Sequence, residues 1–306
     1  MKRSQYIPDR TSLLISIILC ASFSFSLATQ SISEELRILY TANSNGKLMF
    51  CDCPNDPYGG LSERVTLIRD LRKKTKQVLL LDSGNMVSLF GDYDLKASSV
   101  LRLMNLMGYD AALVGRNEFY RGCDRTLKMK AHAQFPLINA TIAKNGATAP
   151  LFEEWILSKK GTLNIAVAAI SDDTSLVHVK KDSMDFDLIP VSKALGQIIS
   201  DMKTASDAII IMSQMEHDKN IALMSEFPDI DLIVEGHGNK TFDPPVKAGN
   251  GFIVSPGNYG QHVGSITLDI ENGTSRLVTS ELIPVLDIPE DKSAHKIVVE
   301  YYRDRK

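Results

Sequence analysis

The sequence lacks any strong excess of charge. Its 306 residues carry 37 acidic and 34 basic side chains, a formal net charge of −3. With no basic stripe to neutralise a phosphate backbone, nucleic acid is not an expected partner. Long apolar runs are missing too. Beyond the N-terminus no segment approaches the roughly 20 residues of a membrane-spanning helix, so no span is expected once that terminus is removed. Internal repeats, low-complexity stretches and long linkers are absent. The one conspicuous charge run, Arg69–Lys76, reads as the solvated end of a helix, complementing its dipole. The only tryptophan, Trp155, reads with Phe152 and Ile156 as ordinary core.

What is present begins with an export signal. Lys2, Arg3 and Arg10 form a basic start, Leu13–Leu19 a compact apolar stretch, and Ser26-Leu27-Ala28 a small-residue cleavage site. Cleavage is expected near Ala28, which makes residues 1–28 a signal peptide and the protein periplasmic or secreted. Lipidation at Cys20 is the alternative, against which Leu19 is bulkier than the small residue that normally precedes a lipidated cysteine. About 278 residues then remain, enough for one large domain over 29–285, followed by a charged segment, 286–306, that reads as a helix or a frayed tail.

Of four cysteines, Cys20 leaves with the signal, so Cys51, Cys53 and Cys123 remain. In an oxidising compartment three thiols cannot all pair within one chain, so one is free, bound to another molecule, or a metal ligand.

Strand-like and helix-like segments alternate along the chain. Leu36–Thr41 reads as a first strand, and 59–74 as a helix with Leu61, Val65, Ile68 and Leu71 on one face. Strands follow at 77–81, 111–114, 137–142, 165–170, 208–212 and 231–235, with a helix at 95–107 closed by Gly108. From Phe252 onward the texture is strands alone, at 252–255, 262–270 and 275–282. That order predicts a layered α/β domain with mixed sheets. Chemistry in such folds gathers on loops beyond the carboxyl ends of the strands, here 42–57, 83–90, 115–124, 213–218 and 236–240.

Those loops carry a resemblance. Asn43-Ser44-Asn45-Gly46 stands at an Asp-x-His-Gly position, Gly59-Gly60-Leu61-Ser62-Glu63-Arg64 matches Gly-Gly-Leu-(Ala/Ser)-x-Arg, and Leu80-Leu81-Asp82-Ser83-Gly84-Asn85 stands at Leu-Leu-Asp-x-Gly-Asp. Residues 115–122 stand at Gly-Asn-His-Glu-Phe-Asp-x-Gly, and Gly236-His237-Gly238-Asn239 at Gly-His-x-His. From about Leu36 to Leu282 the chain resembles the N-terminal domain of the secreted 5′-nucleotidases, within the calcineurin-like metallophosphatases. In particular it resembles a divergent branch in which Cys-x-Cys precedes the Gly-Gly-Leu helix. The resemblance implies a four-layer α/β/β/α sandwich of two mixed sheets, with a two-metal site at the sheet ends.

Position by position, however, the implied ligands are replaced. Asn43 and Asn85 stand for carboxylates, Asn45, Gln214 and Asn239 for histidines, Arg116 for the ligating asparagine, and Asn117 for the catalytic histidine; His237 alone matches. Hard divalent ions need anionic oxygen or imidazole donors, and Arg116 would repel them. A two-metal centre is therefore not expected, and a residual one would need Asp82, Glu216, His217 and His237. Three readings of the thiols stay open. Cys51 or Cys53 acts as a redox nucleophile resolved by another cysteine, with Arg116 favouring the thiolate. Alternatively, Cys51, Cys53, Cys123 and His237 hold one zinc or copper ion. In the third, Cys123 bridges to the Cys-x-Cys loop as a structural disulfide. The function expected is a phosphoesterase-deficient domain whose cysteines serve thiol redox or contact with an unknown periplasmic or redox partner. The alternatives are residual nucleotide hydrolysis and a structural interaction module. His132, His178, His217 and His295 read as solvated, and His262 as packed.

Overall fold

The computed structural model describes residues 34–50, 56–75, 77–176, 185–271 and 273–305. The expected signal peptide, Cys51, Cys53 and His178 lie outside the described residues.

The chain runs through β1 (Glu34–Thr41), α1 (Leu61–Lys73), β2 (Val78–Asp82), α2 (Tyr93–Met107), β3 (Ala111–Leu113), α3 (Arg116–Phe119) and α4 (Cys123–Met129). It continues through β4 (Leu137–Ile138), β5 (Ile142–Lys144), β6 (Trp155–Lys160), β7 (Leu163–Ile170), β8 (Phe186–Leu188), α5 (Val191–Ala205), β9 (Ala208–Ser213) and α6 (His217–Glu226). The last elements are β10 (Leu232–Glu235), β11 (Val246–Ala248), β12 (Gly251–Val254), β13 (His262–Glu271), β14 (Thr274–Pro284) and α7 (Lys292–Asp304).

Side-chain alternation in the buried strands sets the layers. In β1, Leu36, Ile38 and Tyr40 join an apolar cluster with Val167, Ile210, Met212 and Val234 from β7, β9 and β10, while Leu39 faces the other way among residues of α1 and α2. Likewise Ile210 and Met212 lie between the sheets, and Ile209 and Ile211 pack on Leu195 and Ile198 of α5 and Leu223 of α6. The result is four layers. Helices α1, α2 and α7 cover one sheet, of order β14-β13-β1-β2-β3-β4, and α5 and α6 cover the other, of order β11-β12-β10-β9-β7-β6. Both sheets are mixed. Strands β1 to β4 are mutually parallel with β13 antiparallel to β1, and β7, β9, β10 and β12 are parallel with β6 and β11 antiparallel at the edges.

Helix ends follow local chemistry. Glu63 at the third position of α1 accepts from Gly60 N at 2.8 Å and from Phe50 N at 3.2 Å, anchoring the helix to the loop before it. Asp92 accepts from Leu95 N at 3.2 Å to open α2, and left-handed Gly108 at φ 70 closes it.

Three expectations change. The strand expected over 137–142 is broken, because Asn139 turns inward, donates to Val114 O at 2.8 Å and accepts from Thr141 N at 2.9 Å. That local turn ends β4 and sends β5 to pair with β8 in a separate two-stranded sheet. The basic run of α1 is not simply solvated: Arg69 pairs with Asp291 at the start of α7, and Arg72 donates to Gly108 O. Trp155 is only half-buried, at the start of edge strand β6, whereas Phe152 is buried against Phe119. The charged C-terminal segment contains α7, whose Ala294, Ile297, Val298 and Tyr301 are buried on the helical layer.

Candidate functional site

Five parallel strands deliver their following residues to one cleft of about 590 Å³. β1 leads to Asn43 and Asn45, β2 to Asn85, β3 to Arg116 and Asn117, β9 to Gln214, and β10 to His237 and Asn239. All eight positions singled out by the resemblance therefore converge as expected of strand ends in an α/β sheet.

They meet as a lattice of side-chain amides. Asn85 Nδ2 donates to Asn43 Oδ1 at 2.9 Å and to Gln214 Oε1 at 3.0 Å, and Asn85 Oδ1 accepts from Asn117 N at 3.2 Å. Asn117 Nδ2 donates to Asn45 Oδ1 and to Val87 O, both at 2.8 Å. Asn45 Nδ2 donates to Asn43 O at 2.8 Å and to Asn258 Oδ1 at 2.7 Å, and Asn258 Nδ2 reaches Asn239 Oδ1 at 2.6 Å. Backbone carbonyls fix the polarity. Asn43 Nδ2 donates to Gly238 O at 3.2 Å and Gly257 O at 3.1 Å, and Gln214 Nε2 donates to Gly236 O at 3.0 Å and to Ser83 O. The oxygens of Asn43 and Gln214 are thereby turned toward Asn85, which must present hydrogens. Asn43, Asn85, Asn117 and Gln214 are each at most 5% exposed, so the bonds these four make replace lost hydration sites.

Backbone geometry suits the amides. Asn43, Asn45 and Asn85 sit at φ 52, 49 and 55, the left-handed region that asparagine tolerates better than most residues. Gly236 is required by space, since a Cβ there would lie 2.1 Å from Ser83 O and 2.6 Å from Gln214 Nε2. Beneath the lattice, Arg64 is fully buried and ties the first loop to a later one, donating to Ser44 Oγ at 2.9 Å and Gly260 O at 3.1 Å. Glu118, also fully buried, accepts from Asn85 N at 3.2 Å, Val87 N at 3.1 Å and Gly115 N at 2.9 Å. Burial pushes its carboxyl up to about 7 against the lowering effect of those N–H groups.

The residual acid–histidine set does not assemble. Asp82 turns its carboxylate to Thr41 Oγ1 at 2.7 Å and Gly84 N at 2.9 Å, fully buried, with burial raising its pKa. Glu216 is exposed at the start of α6. His217 is not solvated as expected: Nδ1 lies 3.0 Å from Glu235 Oε2 and its ring packs on Phe242 at 4.6 Å between centroids. Among the described residues no group of three His, Cys, Asp or Glu side chains is placed to hold a metal ion. His262 is half-buried beside Tyr58, as a packed residue should be, with burial lowering its pKa.

Cys123 begins α4 with its side chain buried and its thiol 3.7 Å from Asp185 O. Its backbone N donates to both Asp185 carboxylate oxygens, at 2.9 and 3.1 Å. Burial, then the Asp185 contacts, push the thiol up to about 12, with Lys144 a smaller opposing influence. Cys123 does not line the cleft that His237 lines. Sequence reasoning missed Asn258, Tyr259 and Phe90 as cleft residues and Glu235 as the partner of His217. Only the placement of Phe90 in a strand-end loop hinted at one of them.

No protein-family model matches the chain. The 5′-nucleotidase of Vibrio vulnificus is 25% identical over 313 residues, covering 90% of this chain and 56% of that protein. Protein UshA of Escherichia coli is 26% identical over 318 residues, covering 89% and 56%. The chain is a relative of the 5′-nucleotidases. It spans a little over half the length of these relatives, at 56%. Its fold is that of the calcineurin-like metallophosphatases. A sulfate thiohydrolase, SoxB, of Thermus thermophilus superposes with a TM-score of 0.79 at 18% identity, covering 88% of this chain and 60% of that one. The calcineurin-like phosphoesterase YfkN of Bacillus subtilis does so with 0.76 at 16%, covering 89% and 98%. Among the described residues no helix is long and apolar enough to cross a membrane.

Proposed function

We propose that this chain is an exported, phosphoesterase-silent relative of the 5′-nucleotidases, in which side-chain amides hold together the loops that two metal ions hold in an active metallophosphatase. The observation that carries the reading is Asn85. Both hydrogens of its amide nitrogen are committed to Asn43 and Gln214, and those partners are locked in orientation by backbone carbonyls. A position that would have to offer lone pairs to two cations offers hydrogens instead. Arg116, a fixed positive charge, lines the same cleft. The donor set does not fit two divalent ions, and no hydrolytic step is derived through them.

Thiol redox or contact with an exported partner then falls to Cys51 and Cys53, since the buried, protonated thiol of Cys123 is poorly suited to attack. Export itself rests on the basic, apolar and small-residue pattern of residues 1–28. The test is purification of the mature protein without a histidine tag, followed by metal analysis and assay on p-nitrophenyl phosphate with added manganese. Substoichiometric metal and no turnover above blank are expected. Two ions per chain together with turnover would refute the reading.

A further inference from the structure

We infer that the cleft is a metal-free receptor for a flat organic oxyanion, which it binds intact; this rests on the phosphoesterase-silent reading and extends it. Among the described residues no aspartate or glutamate lines the cleft, whereas Arg116 and His237 both do. Among the described residues Arg116 forms no ion pair. Its one hydrogen bond among them runs from Nε to Asn117 Oδ1 at 3.4 Å, so neither terminal nitrogen of the fork has a partner among the described residues. An unpaired, half-buried guanidinium in a recess lined by neutral amides attracts anions, and its planar fork matches two oxygens of a phosphonate, sulfonate or carboxylate at once. The positive charge that metals supply in a two-metal enzyme is here covalently part of the chain.

The second observation is aromatic. Phe90 is 81% exposed and Tyr259 is 52% exposed, and both line this same cleft. Tyr259 is held at φ 52, uncommon for a bulky residue, while its backbone N donates to Asn258 Oδ1 at 2.8 Å. That bond joins it to the amide lattice through Asn45 and Asn239. An exposed ring carried on backbone held in a sparsely populated conformation beside a pocket is a feature of binding sites. Rings beside a cationic floor favour a ligand with a planar portion outward of its anionic head. The cleft, at about 590 Å³, has the size of a small-molecule site.

The test is calorimetric titration of the mature protein in EDTA with phenylphosphonate, benzenesulfonate, benzoate and inorganic phosphate, which separates oxyanion types from the ring's contribution. Phenylphosphonate cannot be hydrolysed at phosphorus. Binding is expected without metal, with the aromatic anions tighter than inorganic phosphate. Arg116→Gln should weaken all of them by about tenfold or more. Phe90→Ala should remove the aromatic preference while sparing inorganic phosphate. Unchanged thermal midpoints would show that both variants fold. Failure of the folded protein to bind any of these anions would overturn the inference and leave the silent reading standing, as would equal affinity in Arg116→Gln. Binding that appears only with manganese, together with turnover of phenyl phosphate, would instead overturn the silent reading.

Discussion

Placing an aspartate at position 85 should harm this protein. In the native lattice Asn85 Nδ2 lies 2.9 Å from Asn43 Oδ1 and 3.0 Å from Gln214 Oε1. In Asn85→Asp a carboxylate oxygen takes its place and faces two acceptor oxygens. Neither neighbour can turn over without loss. Asn43 would abandon Gly238 O and Gly257 O, and Gln214 would abandon Gly236 O and Ser83 O. Two hydrogen bonds disappear, and a charge appears at a site 5% exposed where the native side chain meets amides and a backbone N–H but no cation. At about 1 kcal/mol per lost bond plus the penalty of an unpaired buried charge, the destabilisation should be about 3–5 kcal/mol. Backbone strain does not confuse the comparison, because aspartate tolerates φ 55 nearly as well as asparagine. The new carboxyl's pKa should be raised by burial, so the folded state binds its proton more tightly than the unfolded state does. The deficit should therefore be smaller at pH 5 than at pH 8. Urea unfolding followed by circular dichroism, in EDTA and again in millimolar manganese, measures all of this. A variant as stable as the parent in EDTA would refute the directional lattice. Recovery in manganese with two bound ions would show that the position still serves a metal site.

Two further outcomes follow from the buried groups. Cys123, its thiol pushed up to about 12, should react with Ellman's reagent far more slowly in the folded, mildly reduced protein than after denaturation; equal rates would place it at the surface. Glu118, raised to about 7 from 4.5, binds its proton more tightly in the folded state, so its contribution is fully present below about pH 4.5 and fades as pH climbs to 7. That window is on the order of 3 kcal/mol at about 1.4 kcal/mol per pH unit. Glu118→Gln should flatten the stability curve across it in denaturant titrations, and parallel curves for parent and variant would contradict the assignment.

The fold was legible because its determinants are local and periodic. The apolar face of α1 recurs at Leu61, Val65, Ile68 and Leu71, and strands such as β2 and β9 are continuous buried runs bounded by polar residues or glycine. The convergence of the strand-end loops was legible for the same reason, since parallel strands put their carboxyl ends on one side. What could not be read is orientation. Which atom of Gln214 faces Asn85 is decided by carbonyls at Ser83 and Gly236, remote in sequence and silent in any residue pattern. The same holds for Cys123, whose character is set by Asp185, sixty-two positions away, and for His217, captured by Glu235 from the next strand.

The amide lattice and a two-metal centre solve one mechanical problem with opposite electrostatics. Loops following β1, β2, β3, β9 and β10 end close together, and something must hold them against their own backbone polarity. Metals would do so by drawing in carboxylates. Here neutral amides do so by donating to carbonyls, and a single guanidinium carries the positive charge. The two arrangements cannot be mixed. A lone carboxylate at 43 or 85 finds acceptors where it needs a cation, and a lone cation finds donors and Arg116. Substitutions in such a network are strongly coupled, so on the proposed reading no single replacement builds a metal site. Once Asn43, Asn45, Asn85, Asn117 and Gln214 are in place together, each one orients its neighbours.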